Sequence, residues 1–191
     1  PAGCAAQRHR PQRTQPALAR LLVAMGQVRP LSTVYDPAVG EGDSLVAAAE
    51  ALHDDASVTL VGQDISPDAS FIALARLAVR SCSFEIAEPG DSVRDDRAAR
   101  PKYSVVLLDP PVADRGSTSE VYSLSRWIEF GRSRLLERGR LVIVLPLHEL
   151  ASVRAARRRP DRRLQHLHRS VEDHRCFDVV GGAREQLDVV R

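Results

Sequence analysis

Between Thr33 and Leu145 the sequence alternates short apolar runs with amphipathic stretches, and that alternation leaves few folds open. Thr33-Val34-Tyr35, Val58–Val61 and Ser83–Ala87 read as short strands. Tyr103–Leu108 is nearly all apolar, as expected of a strand buried on both faces of a parallel sheet. Leu141–Leu145 repeats the pattern. Helical stretches separate these runs. Leu18, Leu21, Leu22 and Met25 recur at helical spacing, with Pro16 in the first turn and Gly26 at the end. A second helix is expected over about Ser44–Leu52. Ser66-Pro67 supplies an N-cap and a first-turn proline for a helix through Ile72, Leu74, Leu77 and Val79. Residues 119–136 read as an amphipathic helix, and Arg94–Arg100 as a charged surface loop. The order predicts an α/β fold: an open, mostly parallel, doubly wound sheet with helices on both faces. The tail departs from it. Leu147–Arg159 reads as one more helix, and Phe177–Val180 with Leu187–Val190 as an antiparallel C-terminal hairpin around Gly181-Gly182.

The composition suits such a fold. The chain has 191 residues, 43% hydrophobic and 27% charged, which fits one globular domain with a real core. Residues 1–13 read as a polar lead-in and 14–191 as the domain. No apolar run approaches the roughly 18 residues of a membrane span. The chain opens at Pro1 without an initiator methionine, which reads as an excised fragment and leaves a lost targeting segment open. Cys4, Cys82 and Cys176 lie far apart and form no Cys-x-x-Cys pair, so a reducing cytoplasm is expected. Formal net charge is only +2, but the last 41 residues carry 10 basic against 6 acidic groups. Arg157-Arg158-Arg159 with Arg162-Arg163 either contact phosphates or form a solvated face. His166, His168, His174 and Cys176 match no common zinc spacing, so no metal site is expected.

In an open α/β sheet, ligands bind beyond the carboxyl ends of the strands, at the point where strand order reverses. Here the strands lead into Asp36-Pro37-Ala38-Val39-Gly40-Glu41-Gly42, Gln63-Asp64, Gly90-Asp91-Ser92 and Asp109-Pro110-Pro111-Val112. A dinucleotide fingerprint would need a third glycine where Leu45 stands, and Asp36 would repel a pyrophosphate. An acidic glycine loop instead suits a cationic, phosphate-free cofactor. S-adenosylmethionine is one, and its ribose diol would suit Asp64. The bland alternative is that Asp36 caps a turn and Asp64 ends its strand.

On these motifs the chain resembles the catalytic core of class I S-adenosylmethionine-dependent methyltransferases. It resembles most the N-6 adenine DNA methylases of the type I restriction–modification modification subunit. The resemblance is strongest over residues 12–150. Thr14-Gln15-Pro16 is similar to the Thr-Pro element whose threonine contacts the cofactor's amino-acid end. The Asp36–Gly42 loop is similar to Asp-Pro-Ala-Cys-Gly-Thr-Gly, and Val61–Pro67 to a Gly-Gln-Glu-Ile-Asn-Pro segment. Gly90-Asp91-Ser92 resembles the Gly-Asp-Thr that faces the adenine. Arg138-Gly139-Arg140 and Val142–Pro146 resemble a Gly-Gly-Arg and the strand leading to Leu-Pro. The resemblance implies a Rossmann-like fold, S-adenosylmethionine as cofactor, and Thr14, Asp36, Ala38, Gly40, Gly42, Asp64, Ile65, Asp91 and Ser92 as cofactor-binding residues.

Asp109, Pro110, Pro111 and Val112 correspond to the (Asn/Asp)-Pro-Pro-(Tyr/Phe) catalytic motif. In that motif the first side chain and a backbone carbonyl accept hydrogen bonds from the target amine, and the ring stacks on the extruded base. Val112 replaces the ring, and Tyr122 or Trp127 are candidates for a substitute surface. The resemblance implies methyl transfer to the exocyclic amine of adenine in DNA. It also implies a specificity subunit or further recognition domain as partner, and no membrane. The alternatives are a non-catalytic cofactor-binding or DNA-interaction module, and a methyltransferase acting on RNA or protein. No Pro-Cys pair is present, which removes cytosine carbon-5 chemistry.

Overall fold

The computed structural model describes residues 13–53, 57–111, 124–145 and 177–180. Its elements run α1 (Pro16–Gly26), β1 (Thr33–Asp36), α2 (Asp43–Ala51), β2 (Thr59–Gly62), α3 (Pro67–Ala78) and β3 (Ser83–Ile86). They continue with β4 (Tyr103–Leu108), α4 (Leu124–Ser133), β5 (Leu135–Leu145) and β6 (Phe177–Val180). The strands form one six-stranded sheet in the order β3-β2-β1-β4-β5-β6. Every described pairing is parallel. The order reverses between β1 and β4, so the ends of those two strands flank the switch point.

Alternation along the strands sends side chains to two cores. Val34, Leu60, Val105, Leu107 and Val142 meet Leu22, Leu45 and Leu77 of the first three helices. Tyr35, Val61, Tyr103, Val106 and Leu108 pack on the other face with Trp127 of α4. Helix α3 starts as its sequence dictates: the Ala69 amide donates to Ser66 Oγ at 3.3 Å, and Pro67 occupies the first turn. Tyr35 and Tyr103 stack at 4.6 Å, worth about 0.5–1.5 kcal/mol beyond their burial. The Tyr35 hydroxyl donates to Asp96, which pairs with Arg134 at 2.6 Å. The loop expected to be purely a charged surface is therefore tied to the core through Asp96.

Three expectations change. The helix expected over 119–136 ends at Ser133 within the described residues, and β5 begins six residues earlier than read. Leu135 is buried opposite Tyr103, and a bulge carries the strand past Arg138, whose φ is 64°. A Cβ at Gly139 would lie 2.9 Å from the Leu136 carbonyl oxygen, so glycine fits the bulge. The edge strand β6 joins the sheet parallel to β5; the expected antiparallel hairpin would pair it with 187–190. The hairpin's other strand, 187–190, and the helix 147–159 lie outside the described residues. Finally, Trp127 is 4% exposed and packs edge-to-face on Phe130 at 6.4 Å. It is a core side chain and offers no free stacking surface. Tyr122 lies outside the described residues.

Candidate functional site

The site is built from four strand ends. After β1, Asp36 is buried and its Oδ1 accepts the Ala38 amide at 3.1 Å, which turns the chain sharply into the glycine loop. Gly40 (φ 53°) and Gly42 (φ 84°) both adopt left-handed conformations. They do different work. A Cβ at Gly42 would sit 3.2 Å from both the Cα and Cβ of Ala73, so glycine there lets α2 start against α3. A Cβ at Gly40 would meet nothing within 4 Å. That open space lies over the loop beside Asp64.

Asp64 follows β2 and holds the loop from below. Its Oδ2 accepts the Gly40 amide at 2.8 Å and its Oδ1 the Ser66 amide at 2.8 Å. Each oxygen keeps a second lone pair for a ligand. Asp64 thus serves as the structural end of its strand, holding the glycine loop and the start of α3. Next to it Ile65 is 62% exposed, an apolar side chain left at the rim. After β3, Asp91 Oδ1 accepts the Val93 amide at 3.1 Å. Ser92 is buried, and its hydroxyl donates to the Pro37 carbonyl, so it braces the glycine loop from behind. After β4, the Thr14 hydroxyl donates to Asp109 Oδ2 at 2.7 Å. Among the described residues the other Asp109 oxygen takes no hydrogen bond. Pro110 and Pro111 follow at the surface of the same loop, and Val112 lies outside the described residues.

The electrostatics are acidic. Burial pushes Asp36 up to about 7, with the charges of Asp109 and Asp64 adding to the shift against the Ala38 and Ser44 hydrogen bonds. Burial also raises Asp109, opposed by the Thr14 hydrogen bond. Buried Asp36, with the charges of Asp109 and Asp64 acting on it, makes an acidic site that suits a cation and disfavours a pyrophosphate. With the open space over Gly40 and the apolar rim at Ile65, the residues present fit S-adenosylmethionine.

Sequence reasoning missed the groups that hold these loops. Gln63 is fully buried; its Nε2 donates to the carbonyls of Gly90 at 3.3 Å and Asp95 at 2.8 Å, and its Oε1 accepts the Arg97 amide at 2.9 Å. It fixes the Gly90–Asp95 loop against β2. Asp43, at the start of α2, pairs with Arg13 at 3.0 Å and Arg76 at 2.9 Å. Burial would raise its carboxyl, but those two guanidinium groups hold it below the usual range. Arg13 also reaches Glu41 at 3.0 Å. The signal that would have found this cluster is the acidic residue after Gly42, a favourable charge at a helix N-terminus.

Comparison with known proteins agrees with the geometry. The family described as N-6 DNA Methylase matches residues 10–134. Curated protein sequences give no match. Among solved structures, the M protein of the type I restriction enzyme EcoKI is similar with a TM-score of 0.57 at 15% identity, over 69% of this chain and 33% of that one. The type I restriction–modification methyltransferase subunit from Streptococcus thermophilus gives 0.54 at 16%, over 65% and 32%. TrmN from Thermus thermophilus gives 0.55 at 20%, over 67% and 37%. At these identities the likeness is one of fold. The chain spans about a third of the length of these three structures. Among the described residues no helix is long and apolar enough to cross a membrane.

Proposed function

Because the chain belongs to the N-6 DNA methylase family of S-adenosylmethionine-dependent methyltransferases, we propose that it methylates the exocyclic amine of adenine in DNA. The observation that carries this reading is the placement of Asp109. It follows β4 at the switch point, beside buried Asp36, with one oxygen held by Thr14 and the other free among the described residues. An amine has two N–H donors, and Asp109 Oδ1 with the Pro110 carbonyl would accept them. That draws electron density toward the nitrogen, which must act as the nucleophile.

Asp36, Ala38, Gly40, Gly42, Asp64, Ile65 and Asp91 would hold the cofactor over the glycine loop, with Ser92 acting through Pro37. When bound, S-adenosylmethionine supplies an electrophilic methyl group on a sulfonium. The seat of β6 beside β5 supports reading 14–191 as one domain. The likeness of fold to type I restriction–modification methyltransferase subunits supports a specificity subunit or a further recognition domain as partner. The Arg157–Arg163 run lies outside the described residues.

The acceptor tests this reading. With methyl-labelled cofactor and separate DNA, RNA and protein acceptors, label is expected in DNA alone; label confined to RNA or protein overturns it. In the same assay Val112→Tyr is expected to raise the rate about 5- to 150-fold, the worth of one base–aromatic stack. No gain over an active parent would mean that another side chain already stacks on the base.

The raised Asp36 gives a pH prediction. A cation bound beside it favours the carboxylate, so binding lowers its pKa and releases a proton. Below the free-state value of about 7, cofactor affinity therefore climbs with pH, by at most about tenfold per unit, and it levels off above it. Calorimetric titration from pH 6 to 8 reads this directly. Asp36→Asn should flatten the profile; a flat profile in the unsubstituted protein would remove Asp36 from the linkage.

A further inference from the structure

Thr14 and Asp109 lie 95 positions apart, in motifs expected to do separate jobs, yet the Thr14 hydroxyl donates to Asp109 Oδ2 at 2.7 Å. We propose that Thr14 is a positioning residue for the amine acceptor, pinning one oxygen of Asp109 so that the other meets the substrate. The inference rests on the reading of Asp109 given above. It assigns Thr14 a different primary partner from the cofactor contact that the resemblance implies.

The chemistry is restrictive. A hydroxyl carries one proton. While that proton goes to Asp109, Thr14 can only accept from a ligand, so it cannot donate to a carboxylate at the cofactor's amino-acid end. The pinned carboxylate is also kept in its accepting form. A protonated Asp109 would present an O–H to an amine that itself donates. Burial favours that protonated form, and the Thr14 hydrogen bond works against it.

Thr14 is fixed from its N-terminal side rather than by its own helix. Gln15, the N-cap of α1, makes no side-chain cap. Arg13, by contrast, is anchored on Glu41 and Asp43 at 3.0 Å each. The dipeptide Arg13-Thr14 thus bridges the glycine loop to the catalytic aspartate. Displacement of Glu41 or Asp43 would be felt at Asp109.

Thr14→Val, nearly the same shape without the hydroxyl, tests this, with Thr14→Ser as the rescue. In the cofactor-free chain, carboxyl carbon NMR of Asp109 should show its titration midpoint rising by about 1–2 pH units in Thr14→Val and returning in Thr14→Ser. In turnover, kcat should fall about 10- to 150-fold, with KM for the cofactor within about threefold and the acidic limb of the kcat–pH profile displaced upward. An unmoved Asp109 titration overturns the proposal, as does a raised cofactor KM with kcat unchanged. Because the NMR titration needs no turnover, a shifted midpoint with no methyl transfer in any variant would uphold the pairing and sink the proposed function instead.

Discussion

Replacing Asp109 by alanine is expected to cut methyl transfer about 100- to 1,000-fold while leaving cofactor affinity within about threefold. The magnitude is that of removing one preorganised hydrogen-bond partner from a transition state in a partly dry site. The selectivity follows from position. The glycine loop is held by the Asp36–Ala38, Asp64–Gly40 and Ser92–Pro37 hydrogen bonds, and none of them involves Asp109. Its removal even relieves Asp36 of one repelling charge. Single-turnover rates with DNA, paired with calorimetric titration of the cofactor, separate the two effects. A parallel loss of cofactor affinity would place Asp109 in the cofactor site.

The second large effect is structural. Gly42→Val is expected to destabilise the protein by about 2–5 kcal/mol. A β-branched residue at φ 84° bears roughly 1–2 kcal/mol of left-handed strain, and its Cβ, 3.2 Å from the Ala73 backbone, adds roughly 1–3 kcal/mol of overpacking. For a domain of this size the melting temperature should fall by roughly 4–20 °C. Gly40→Ala is the control. Its φ of 53° bears roughly 1–2 kcal/mol of the same strain, but its Cβ enters open space. That methyl should weaken the cofactor more than it weakens the fold. Thermal denaturation with and without S-adenosylmethionine distinguishes the pair. An undiminished rise in melting temperature on adding S-adenosylmethionine to Gly40→Ala would mean that the space over Gly40 is not where the ligand sits.

These two glycines also mark what a sequence can disclose. The Asp36–Gly42 loop and the Ser66-Pro67 helix start are local devices: the residues that form them stand within a few positions of one another, so the pattern was legible. The same holds for Tyr103–Leu108, whose burial on both faces leaves an unbroken apolar run. The Leu135 start of β5 was not legible, because a bulge at Arg138-Gly139 interrupts the period and Leu135 gains its partner, Tyr103, from across the sheet. Asp96, Gln63 and Asp43 were missed for a related reason. Each is polar, and each earns its place through partners 27–61 residues away, such as Tyr35, Gly90 and Arg13. Trp127 was misjudged because an aromatic at helical spacing serves a core as readily as a site. Thr14 and Asp109 were each visible as motif residues, but the hydrogen bond joining them exists only in three dimensions.

The central claim is that Asp109 presents an acceptor to the amine of adenine. Its most direct measurement is nucleoside analysis of DNA incubated with the protein and S-adenosylmethionine, then digested to single nucleosides. The account predicts N6-methyldeoxyadenosine, reduced at least 100-fold in the Asp109→Ala reaction. N4-methyldeoxycytidine as the sole product, or N6-methyldeoxyadenosine formed equally well without Asp109, would contradict it.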